Sequence, residues 1–97
     1  MSAGVASELV GPVLVADEAS RAVIAAIREL DPTVCVDDRG AYLRVSARGG
    51  CRLRREIVER ILGRPFRMPG DLEALMPSFT GELVVNGDEA RWEWHDR

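Results

Sequence analysis

Two turn signals, each set between alternating segments, constrain this chain more than anything else in it. Asn86-Gly87 separates Glu82 to Val85 from Ala90 to Trp94, and Asp38-Arg39-Gly40 separates Thr33 to Asp37 from Ala41 to Ala47. A residue that tolerates positive φ lets a tight loop follow the twist of the strands it joins, so each signal predicts a β-hairpin. Val34 and Val36 share one face of their segment, as Leu43 and Val45 do of theirs, which is the pattern of half-buried strands. A chain with a hairpin towards each end must build antiparallel sheet.

The segments between the hairpins have a different period. From Asp17 to Leu30, residues Val23, Ile24, Ile27 and Leu30 recur at helical spacing, with Asp17 placed to cap the helix and Asp31-Pro32 to stop it. Arg55 to Leu62 puts Ile57, Val58, Ile61 and Leu62 on one face, then ends at Gly63 before Pro65. Pro69-Gly70-Asp71 opens a very short helix through Leu72, Leu75 and Met76, which Pro77 breaks. Pro12 to Val15 reads as an edge or initial strand, and Cys51 to Arg54 as a strand after the flexible Gly49-Gly50. Antiparallel hairpins interspersed with two main helices and one short one predict an α+β fold, with helices covering one face of the sheet structure.

Ninety-seven residues, 46% apolar and 30% charged, suffice for one hydrophobic core. Residues 1–10 read as a flexible arm and 11–97 as the domain. Nothing approaches the ~20 apolar residues that cross a bilayer, and Met1 to Ser7 lacks the basic start and apolar core of a signal peptide, so the expected place is the cytoplasm. Cys35 and Cys51 form no CxxC pair and are expected as reduced thiols on strands. A net charge of −3 argues against binding along a nucleic-acid backbone. Every basic residue other than His95 is arginine, the better side chain for planar contacts between proteins, although a GC-rich coding sequence is the better explanation of that bias.

The inventory for catalysis is thin. The one histidine, His95, lies near the chain end and is expected to be solvated. Neither zinc-ligand spacing nor an iron-binding ExxH pattern occurs, and Gly49-Gly50 belongs to no phosphate-binding loop. Arg52, Arg54 and Arg55 are followed by Glu56 and Glu59 without aromatic neighbours, a solvated charge cluster rather than a nucleic-acid site. Trp92 and Trp94 share one face of the last strand; core suits Trp92, while Trp94 fits core or an interface equally.

Three stretches carry a more specific message: Asp31-Pro-Thr-Val-Cys-Val-Asp-Asp-Arg-Gly-Ala-Tyr-Leu-Arg-Val45, Ile61-Leu-Gly-Arg-Pro-Phe66 and Pro77-Ser-Phe-Thr-Gly81. Their order and spacing resemble the coupling or effector proteins of soluble diiron monooxygenases, the small partners of the methane, phenol, toluene and alkene enzymes. The resemblance spans Gly11 to His95. It implies two small βαββ-like units, no prosthetic group and no catalysis by this chain. It further implies binding to a diiron hydroxylase component, in alternation or competition with a reductase or ferredoxin, so as to tune oxygen activation, substrate access and the coupling of reductant use to hydroxylation. Pro77, Ser78 and Phe79 match the family stretch facing the substrate-access region, with Arg64 and Met76 expected in or near the same face. On that placement, arginine at positions 76 and 78 should abolish stimulation of hydroxylation without unfolding the domain. The Asp37-Asp38-Arg39-Gly40 turn and Tyr42 match another family signature. With an arm of about ten residues, no large arm-dependent switch is expected. From the residues without the resemblance, a free-standing α+β sensor of a small ligand stays open as an alternative.

Overall fold

A computed structural model describes residues 8–95. The first half runs β1 (Leu9–Val15), α1 (Glu18–Leu30), β2 (Cys35–Asp38) and β3 (Tyr42–Arg48). The second runs β4 (Gly50–Arg54), α2 (Arg55–Leu62), α3 (Gly70–Leu75), β5 (Ser78–Thr80), β6 (Glu82–Val85) and β7 (Glu89–Glu93). All pairings are antiparallel, in one sheet of order β2-β3-β1-β5 and another of order β4-β7-β6. This is the expected α+β architecture of two βαββ-like units, except that the second unit lends β5 to the first unit's sheet.

The helices form where the periodicity places them. Asp17 caps α1 by accepting the Glu18 N–H at 2.6 Å, and Ser20, Val23, Ile24 and Ile27 are buried on one stripe. In α2 only Val58 is fully buried, while Ile61 is 37% exposed, so the apolar stripe read from the sequence is wider than the part covered. Gly63 stops α2 at φ 76°, sending its N–H to the Glu59 carbonyl.

Alternation along the strands sends one set of side chains from each sheet into a shared core: Val10, Leu14, Leu43, Val45 and Ala47 from the first, Cys51, Leu53, Ala90 and Trp92 from the second. Helix α1 packs on β4 and α2, and Phe66, Leu72, Leu75 and Met76 close the core from the second half. Trp92 is fully buried, and Trp94 is half-buried, packed against the core margin with the rest of its ring accessible.

Three features differ from the sequence reading. Strand β1 begins at Leu9, not Pro12, and Val10 is buried, so residues 9 and 10 belong to the sheet rather than to an arm. Residues 1–7 lie outside the described part. Pro12 sits inside a central strand, yet the ladder to β3 skips Gly11 and Pro12, so the missing N–H costs no bond on that side. At Asn86-Gly87 the hairpin forms, but Gly87 is not among the glycines with positive φ. The turn is instead held by the Asn86 side chain, which accepts the Asp88 N–H at 2.8 Å and the Glu89 N–H at 3.0 Å.

Positive φ is used where the chain changes sheet. Gly49 (φ 82°) joins β3 of the first sheet to β4 of the second, and Gly81 (φ 99°) joins β5 to β6 across the same divide. A Cβ on Gly81 would come within 2.7 Å of Val10 Cγ1 and 2.9 Å of the Glu93 carbonyl oxygen.

Candidate functional site

Of the five residues singled out for partner contact, the structure brings three together. Pro77 follows the end of α3, where the Met76 N–H closes on the Glu73 carbonyl at 3.2 Å, and Ser78 and Phe79 continue into β5. This three-residue strand pairs with β1 through Val13–Ser78, Pro12–Phe79 and Gly11–Thr80, and among the described residues its other side is a free sheet edge. Phe79 is 43% exposed, so it is not the core residue that its place in a strand would otherwise suggest. A large aromatic held at an edge by its backbone is a ready contact for another protein.

Met76 does not join this face. It is 8% exposed and packs in the core, so its part is to support the turn into β5. An arginine there would carry its charge into an apolar interior, which corrects the expectation that such a variant stays folded. Arg64 is exposed on the α2–α3 connection, 3.8 Å from Glu18 at the start of α1, over a hollow shared with Phe66 and Ala74. Its neighbour Phe66 is buried, and the Phe66 N–H donates to Glu59 at 2.9 Å. That bond, ahead of the Arg55 guanidinium, holds the Glu59 carboxyl below its ordinary range. The connection is thereby fastened to α2.

The remaining chemistry-bearing residues lie apart. His95 is exposed beyond β7, 2.6 Å from Glu82. Cys51 is buried in β4, and that burial, with Asp31 nearby, pushes its thiol up to about 12, whereas Cys35 is exposed on β2. Among the described residues no three His, Cys, Asp or Glu side chains converge on a point that would hold a metal ion, and no helix is long and apolar enough to cross a membrane.

The outer faces of the two sheets, which sequence reading did not single out, differ sharply. On the second sheet Arg52 faces Glu89 at 3.9 Å, Arg54 faces Glu56 at 3.5 Å, Arg91 faces Glu93 at 3.6 Å, and His95 reaches Glu82. On the first, Leu9, Val13 and Val15 of β1 stand beside Arg48, Arg44 and Tyr42 of β3 in register. Asp37 is opposite Arg44 but bonds Arg39 at 2.7 Å. The signal was present as Tyr42-x-Arg44-x-Ser46-x-Arg48, an alternation with no carboxylate on the arginine side.

A fold of this kind, with an exposed edge and no metal-holding cluster among the described residues, has close counterparts. The effector subunit of the alkene monooxygenase system of Xanthobacter autotrophicus is 41% identical over 86 residues, covering 87% of this chain and 84% of that relative. A chain in a phenol hydroxylase–regulatory protein complex superposes with a TM-score of 0.80 at 25% identity, covering 90% of this chain and 99% of its own. The soluble methane monooxygenase regulatory protein B shares the fold, with a TM-score of 0.68 at 24% identity over 91% of this chain and 66% of its own length. Since a model of the MmoB/DmpM family also matches residues 8–93, nearly all of the described fold, the chain belongs to that family.

Proposed function

We propose that this protein is the effector subunit of a monooxygenase system: it binds the diiron hydroxylase component and tunes oxygen activation, substrate access and coupling, while catalysing nothing itself. The observation that carries this reading is the 41% identity to an alkene monooxygenase effector subunit, sustained over 86 residues and therefore over both sheets. The complex of a phenol hydroxylase with its regulatory protein supports a hydroxylase as the partner.

In physical terms the protein is an allosteric ligand. It changes the enzyme only to the extent that it binds one arrangement of the hydroxylase better than another. The edge at Pro77, Ser78 and Phe79, with Arg64, supplies contact residues for that preference, and a reductase or ferredoxin alternates with it on the hydroxylase. The place of action is the cytoplasm.

The test is reconstitution. The purified protein is added to the hydroxylase and reductase components of its own organism, and product and reductant consumption are measured together. The expected result is a saturable rise in turnover and in product formed per reductant consumed. Unchanged turnover and coupling at saturating protein would overturn the reading, as would product formation by this chain alone.

A further inference from the structure

Among the described residues the outer face of the first sheet is uncovered, because its core-directed side chains point the other way and α1 lies on that other side, beside Val36 and Leu43. Tyr42 is 48% exposed there and Leu9 39% exposed. Among the described residues no carboxylate lies within ion-pair distance of Arg44 or Arg48, and the one carboxylate that the strands place on this face, Asp37, is engaged by Arg39. A chain with net charge −3 thus presents one locally positive face set around a tyrosine and three aliphatic side chains.

We propose that this face, through Tyr42, Arg44 and Arg48, docks on a carboxylate-rich surface of the hydroxylase; the inference rests on the function proposed above and names a surface additional to the β5 edge. Arginine and tyrosine are the side chains that concentrate binding energy in protein interfaces, and unpaired guanidinium groups match carboxylates bidentately. The second sheet's outer face lacks this capacity. Its arginines already face Glu89, Glu56 and Glu93, so a partner's carboxylates would first have to displace those within the chain. On the first sheet there is no such pair to break at Arg44 or Arg48.

The experiment follows association of the full chain with the purified hydroxylase component of the same organism, across a range of salt concentrations. Arg44→Glu and Arg48→Glu should each slow association at low salt by about threefold to tenfold and flatten its salt dependence, since rim charges act mainly on the on-rate. The protein concentration giving half-maximal stimulation should rise in step. Tyr42→Ala should speed dissociation. Arg52→Glu makes the same change in net charge on the other sheet and should leave association within about twofold of wild type. Arg44→Gln, with a melting temperature matching wild type, separates loss of charge from loss of fold. Wild-type association by Arg44→Glu and Arg48→Glu would overturn the proposal, and so would an equal loss in Arg52→Glu, which would assign the effect to net charge. Should the wild-type protein itself neither bind nor stimulate the hydroxylase, the functional reading fails and takes this one with it.

Discussion

The second sheet neutralises itself while the first does not. Across β4 and β7, Arg52 and Arg91 are direct neighbours, an unfavourable pairing relieved because each has a glutamate within 4 Å. Across β1 and β3, arginines alternate with aliphatic and hydroxyl side chains and find no such relief among the described residues. One sheet spends its charges on internal pairs of small individual worth, and the other keeps them available. The lesson is that exposure alone does not mark a working surface: both faces are solvated, and only their pairing distinguishes them.

The comparison is open to attack first from the core beneath it. Trp92→Ala removes the fully buried indole that backs the second sheet and should cost about 3–5 kcal/mol, read from urea unfolding. Gly81→Ala should cost at least ~2 kcal/mol, since it combines positive φ with a crowded Cβ position. Gly87→Ala, with open space around it and no positive φ, should change stability by less than about 0.5 kcal/mol. A large loss in the latter would restore the glycine account of that turn. Breaking one pair on the second sheet by Glu89→Gln should cost under ~1 kcal/mol, with little change in stimulation of the hydroxylase.

Acid should loosen the α2–α3 connection as Glu59 takes up its proton. The folded-state carboxyl of Glu59 titrates below its unfolded value of 4.5, so its contribution is complete above that value and is lost as pH falls through the folded one. Melting temperatures taken from pH 6 down to pH 3 should fall less steeply in Glu59→Gln than in wild type. Thiol labelling gives a last check on which residues face outward: at neutral pH Cys35 should react and Cys51 should not, because burial raises the Cys51 thiol to about 12.

Much of this molecule was legible in its sequence because local chemistry and tertiary need agree. Asp17, Gly63 and Pro77 delimit helices through their own conformational preferences, and the alternations at 34–36 and 43–45 announce β2 and β3, whose inward residues are buried or pack against the core, although β2 starts only at Cys35, after the buried Val34. β5 was illegible for the converse reason. Three residues after a proline carry no period, and Ser78 to Thr80 is a strand only because β1 lies beside it. Met76 misled because a methionine next to a break suits either a core or a contact surface, and only packing decides. The charged faces lay partly in view, as Arg44 and Arg48 alternate openly, but the partners of Arg52 and Arg91 come from strands whose register no local pattern states.

The glycine corners have a mechanical consequence. The backbone crosses between layers at Gly49 and again at Gly81, each time through a single residue, and both layers send side chains into one core, so displacing one layer means opening that core. Force applied at the β5 edge is borne by the whole body. A subunit built this way presents its faces as parts of one stiff piece.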